Sequence, residues 1–154
     1  MVPVNNMVEM RTILYCCKYL FAGKWHKVTT YLGNGMIPKV SITISPSYNG
    51  LESIEMDYDG SRLLERIVDD YINDLCHKDH YICLKRELIS YVAEEADTLN
   101  NIQRTLSINI EDSGYRCHLQ VIKSGNKKEL EDVFPFESSI EESYSALRVQ
   151  LEGK

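Results

Sequence analysis

Residues 76 to 83 read Cys-His-Lys-Asp-His-Tyr-Ile-Cys and gather two of the five cysteines and two of the four histidines into eight positions. Thiolate and imidazole are the ligands of tetrahedral zinc, and a thiol beside an imidazole is the pair needed for nucleophilic catalysis. Structural zinc sites usually draw two short-spaced pairs from distant parts of a chain. Here Cys76, His77, His80 and Cys83 come from one local segment, so Cys117 or His118 would have to complete the set. Catalysis would pair Cys76 with His80 and Asp79, or Cys83 with His118, and no local signature marks either arrangement. Cys117 and His118 are neighbours on a strand, where alternation sends adjacent side chains to opposite faces.

Carboxylates form the second group. Glu55, Asp57 and Asp59 alternate along one segment, which would space them about 7 Å apart on a strand face, a separation that suits hydrolysis by paired acids. The same residues also read as a binding surface. Glu52, Glu55, Asp57 and Asp59 are followed by Asp69, Asp70 and Asp74 on the polar face of a helical stripe. A field of one sign attracts a partner of the other. Tyr48 and Tyr58 lie close by in sequence and can serve as aromatic anchors.

Those side chains must be positioned by a fold. Met10, Ile13, Leu14, Cys17, Leu20 and Phe21 recur at helical spacing, so a helix is expected from about Val8 to Phe21, with a strand over Arg11 to Phe21 as the alternative. Three strands are expected next: Lys27 to Leu32, Lys39 to Ser45 and Leu51 to Tyr58, separated by Gly33-Asn34-Gly35 and by Pro46 to Gly50. Leu63, Leu64, Ile67, Val68, Tyr71, Ile72 and Leu75 form an apolar helical stripe. A second stripe at Tyr81, Leu84, Leu88, Val92, Ala96 and Leu99, capped by Asp79, completes a helical hairpin that turns at His77 to Asp79. In that frame the four candidate ligands splay around a turn, and His80 with Cys83 are the pair that can share a face.

A β-hairpin follows, with Leu106, Ile108 and Ile110 on one arm, Cys117, Leu119 and Val121 on the other, and a turn at Asp112 to Gly114. Beyond a break near Gly125 and the segment Val133 to Phe136, a last helix carries Ile140, Tyr144, Leu147 and Leu151. Its capping box is Ser138 with Glu141 or Ser139 with Glu142. The expected fold is α+β: one domain over residues 1–154, with a single antiparallel sheet of about five strands packed with about four helices, including the central helical hairpin. Ser41-Ile42-Thr43-Ile44 and Ser107-Ile108-Asn109-Ile110 are near copies, which half-buried strands also reach by convergence.

Charge and composition bound the function. The net charge is −6. Residues 51 to 75 hold eight acids against Arg62 and Arg66, and residues from 126 onward hold seven acids against four bases. An acidic balance argues against nucleic acid as a partner, since the phosphate backbone carries the same sign. No apolar run approaches the roughly 18 residues of a membrane span, and the start of the chain lacks the pattern of a signal peptide. Five cysteines without a paired framework read as free thiols of a reducing cytoplasm. The 14 isoleucines and 9 asparagines against 4 alanines match the A/T-rich coding of mobile elements, phages and low-GC bacteria. Trp25 reads as a partly buried core residue rather than a stacking platform.

No phosphate loop, nucleophile elbow or dinucleotide fingerprint is present, and no cofactor or metal is expected. The expected function is a non-enzymatic inhibitor of the immunity or antitoxin type, neutralising a basic toxin such as a nuclease. Its binding surface would be Glu52, Glu55, Asp57, Asp59, Asp69, Asp70, Asp74, Tyr48 and Tyr58. A secretion chaperone of the type III kind is the alternative among binding proteins. A metal- or thiol-dependent hydrolase built on Cys76 to Cys83 is the enzymatic one. Whether the chain acts as a monomer or a dimer stays open.

Overall fold

A computed structural model describes residues 10–21, 23–33, 35–58, 60, 63–78 and 85–153. Its elements in chain order are β1 (Arg11–Phe21), β2 (Lys24–Leu32), β3 (Lys39–Tyr48), β4 (Leu51–Asp57), α1 (Leu64–Lys78), β5 (Lys85–Asp97), β6 (Ile102–Ile110), β7 (Tyr115–Lys123), β8 (Asn126–Phe134) and α2 (Ile140–Glu152). The eight strands form one sheet in the order β4-β3-β2-β1-β5-β6-β7-β8. The expected five strands and four helices are therefore corrected to eight strands and, among the described residues, two helices.

Three readings account for the difference. The expected N-terminal helix is the strand β1, its alternative reading. The second arm of the helical hairpin is β5, so no such hairpin exists; the cap at Asp79 and the ligands His80 and Cys83 lie outside the described residues. The break near Gly125 is a tight turn, with Ser124 and Gly125 at φ 51° and 84°, leading into β8. Both copies of the Ser-Ile-x-Ile tetrapeptide lie on strands, but on β3 and β6, the third strand of one run and the second of the next. The repetition lies elsewhere: four strands followed by a helix occur twice.

Two compact units divide the chain, Thr12–Tyr91 and a second built on Val92–Lys154 with Met10 and Arg11. In the first, antiparallel pairing places Cys17 opposite Val28, Val28 opposite Ile44, Thr30 opposite Ile42, and Ile42 opposite Ile54. These alternate positions make one apolar face, and α1 covers it with Leu64, Ile67, Val68, Ile72 and Cys76. The helix forms because its apolar residues recur every three to four positions, which collects them on one side. Removing each such aliphatic side chain from water contributes roughly 1.5–3 kcal/mol. Cys76 is thus a core residue on a helix, and His77 lies exposed one position further along it. The turn expected at His77 and Lys78 is the last turn of α1.

In the second unit Leu106, Ile108, Cys117, Leu119 and Val121 form the buried face, with Tyr144 and Leu147 of α2 among the fully buried side chains. The capping box is Ser139 with Glu142: the Ser139 side chain accepts from the Glu142 N–H and the Glu142 carboxylate accepts from the Ser139 N–H. The Tyr115 hydroxyl lies 2.7 Å from Ser138 O, 2.8 Å from Ser139 O and 2.7 Å from Ser143 Oγ, which ties β7 to the start of α2. Arg104 is a buried polar residue on this face. Its Nη1 donates to Glu95 at 2.7 Å, and its Nε and Nη2 donate to the two oxygens of Glu152 at 3.1 and 2.8 Å. Burial alone opposes the guanidinium charge, and the bonds to Glu152 and Glu95 outweigh it.

Candidate functional site

The acidic strand β4 is one outer strand of the sheet. Ile54 and Met56 turn toward the core under α1, so alternation sends Ser53, Glu55 and Asp57 to the opposite, open face. There Glu55 is paired with Ser41, which is in turn paired with Tyr31 of β2. Asp57 stands opposite Lys39 and accepts a bond from its Nζ at 2.5 Å. That bond, with the nearby Glu55 charge, raises the Lys39 pKa above its ordinary value. Glu52, Glu55 and Asp57 are all exposed.

The remaining candidates separate from this group. Asp69 accepts from the Tyr19 hydroxyl at 2.6 Å and is ion-paired with Arg86, so it fastens α1 to β1 and β5. Burial first, and then the Asp69 bond, pushes the Tyr19 phenol far above its ordinary pKa. Asp70 and Asp74 are exposed on α1, away from the side that packs on the sheet. Glu55 and Asp57 point to the other side of that sheet, so the acidic strand and the acidic helix do not make one surface. Tyr48 is buried with its ring edge-on to His26 at 6.0 Å, and Tyr58 is half-buried against the core cluster. Asp59 lies outside the described residues.

Two exposed features near β4 were missed in the sequence. Tyr31 is 49% exposed in the row that ends at Glu55. The β2–β3 connection carries Met36, fully exposed, and Ile37, 77% exposed. Its base is closed by the Gly33 N–H donating to Lys39 O at 2.9 Å and by the Tyr58 N–H donating to Pro38 O at 3.2 Å. The available signal was an apolar pair inside a Gly-Asn-Gly-x-x-Pro loop, where polar residues are the rule. Trp25, expected as a partly buried core residue, is 38% exposed and carries the Lys18 ammonium 5.4 Å above its ring.

Cysteine chemistry finds little support among the described residues. Cys16, Cys17, Cys76 and Cys117 are buried and outside any disulfide. Desolvation pushes the Cys17 thiol up to about 11 and the Cys117 thiol up to about 12, so neither is a thiolate at neutral pH. His118 stands on the face of β7 opposite Cys117, with its Nε2 2.8 Å from Glu129. No group of three or more His, Cys, Asp or Glu among the described residues could hold a metal ion. Nor is any helix among them long and apolar enough to cross a membrane. β4 and its neighbours present a polar face that bears Glu55, Asp57 and Lys39 with the exposed Tyr31. No protein-family model, curated protein or solved structure matches the chain.

Proposed function

We propose that the protein is a non-catalytic inhibitor of the immunity or antitoxin type, which binds a basic protein such as a nuclease and covers its substrate-binding surface. The observation that carries this reading is the exposure of Glu55 and Asp57 on the open face of an outer strand, in register with exposed Tyr31. Fixed carboxylates attract a cationic surface over a Debye length of about 8–10 Å, and a tyrosine among them supplies contact area at low entropic cost. The partner would be neutralised in the cytoplasm, where reduced thiols such as those of Cys16, Cys17 and Cys117 persist. Nucleic acid is disfavoured as a direct ligand by the net charge of −6.

Co-expression with the product of the adjacent gene, followed by copurification, tests the reading. Charge reversal at Glu55 and Asp57 is expected to weaken the complex at least about tenfold, with a salt dependence that shrinks in parallel. The same reversal at Asp70 and Asp74 serves as the control for the helix surface. A basic, toxic neighbour that does not bind, or a complex indifferent to all four charges, would overturn it.

A further inference from the structure

We infer that the β2–β3 tip, Met36 and Ile37, is an anchor that enters an apolar cleft rimmed by basic side chains on the partner protein. This rests on the proposed recognition of a basic protein and names the part of that surface which makes the non-polar contact. Met36 is fully exposed and Ile37 is 77% exposed, whereas the core cluster of their unit packs its aliphatic residues with Leu64, Ile67, Val68 and Ile72 of α1. Turn chemistry does not require them. Gly33, Gly35 and Pro38 already supply the residue types that reverse a chain. The tip is also braced, because Gly33 and Lys39 close its base and Tyr58 holds Pro38. A loop fastened at its base loses less entropy on docking than an unfastened one, which favours an anchor over a spacer.

The surroundings indicate the occupant. Lys39, the first residue of β3 after the tip, is already bonded to Asp57, and Glu55 follows on the same strand face. Lys39 and Asp57 neutralise one another, so Glu55 leaves the rim of the tip net negative. An acidic rim repels anionic lipid, whereas membrane-inserting segments usually carry lysine and arginine beside their apolar residues. A second copy of this chain would bring the same carboxylates against each other. A cleft lined by apolar groups and edged by lysine or arginine satisfies both the tip and its rim.

The test uses the full chain labelled with ¹⁵N and a synthetic amphipathic helix of leucine and lysine as the probe, with its leucine–glutamate counterpart beside it. Amide shifts report where the probe binds. Saturable shifts at residues 35 to 39 and along β4 are expected with the lysine peptide alone. The pair M36S/I37S should weaken binding at least about tenfold, and so should E55Q/D57N. Both pairs lie at exposed positions and leave the apolar core untouched. If only E55Q/D57N weakens binding, the acidic reading stands and the anchor is overturned. If neither does, or no saturable binding occurs, both are overturned. Flotation with phosphatidylglycerol vesicles, or concentration-dependent dimerisation, that M36S/I37S abolishes would assign the tip to a membrane or to a second copy and overturn the proposed occupant.

Discussion

Replacing Arg104 with methionine tests the internal electrostatics of the second unit. The Arg104 side chain is 5% exposed, and its partners Glu95 and Glu152 are 10% and 19% exposed. R104M keeps much of the side-chain length but strips Glu95 of its guanidinium and leaves Glu152 to Arg148 alone, at 3.2 Å. Breaking a buried pair from one side costs about 3–5 kcal/mol, because the remaining charge stays desolvated. With a urea m-value of about 2 kcal/mol/M, the unfolding midpoint should fall by roughly 2 M. Hydrogen exchange should show the loss in β6 and α2. Adding Glu95→Gln should restore part of it, since an amide is cheaper to bury than an unpaired carboxylate. Acid behaviour supplies a second reading. Burial pushes the Glu152 carboxyl up, but Arg104 and Arg148 outweigh it and hold the group below its ordinary 4.5. A lowered native pKa contributes stability above the unfolded value and loses it as pH falls through the native one. The wild type should therefore weaken below about pH 4.5, and R104M should lose much of that dependence. A cost below about 1 kcal/mol, the range of an exposed pair, would refute the account.

Four further outcomes are expected. Tyr115→Phe removes the hydroxyl that joins Ser138, Ser139 and Ser143, and should cost about 1–3 kcal/mol by urea titration. Gly114→Ala would drive a methyl group into the Phe134 carbonyl at the end of β8, and should cost about 1–3 kcal/mol by thermal unfolding. Asp69→Lys should destabilise the fold, because it severs the links to Tyr19 and Arg86, whereas Asp74→Lys should leave the melting temperature within a few degrees. Iodoacetamide at pH 8 should leave Cys17 and Cys117 unmodified until the chain unfolds, as mass spectrometry of the labelled peptides would show.

Some elements were legible because a single period was present. Leu64 to Cys76 has only a helical spacing, and Leu106 to Ile110 only an alternating one. β1 hid its nature by being buried on both faces, with Thr12, Tyr15, Cys16, Cys17 and Tyr19 all sequestered, so no polar face marked the strand. In β5 the apolar residues Leu88, Val92 and Ala96 recur every fourth position, which both a helix and a strand satisfy. The intervening Arg86 and Glu94 broke the strand pattern because each is held in an ion pair, Arg86 with Asp69 and Glu94 with Arg11. β8 is polar because it lies on the outside of the sheet, where only Leu130 and Phe134 are partly covered. At the site, residue type could place Glu55 and Asp57 on a strand face. It could not reveal that Asp69 would be taken by Tyr19 and Arg86, or that Tyr48 would turn inward.

The two outer strands differ in how they resist unwanted pairing. β8 carries Lys127 and Lys128 as well as its acids, while the charges of β4 are Glu52, Glu55 and Asp57 alone. Unpaired backbone groups on an outer strand invite another chain, and like charges keep it away. On β4 that protection depends entirely on ionised carboxylates. Replacing them together, as E52Q/E55Q/D57N, removes it while β8 keeps Lys127 and Lys128, so the triple variant should associate through β4. The margin against aggregation is thus set on this outer strand by three carboxylates.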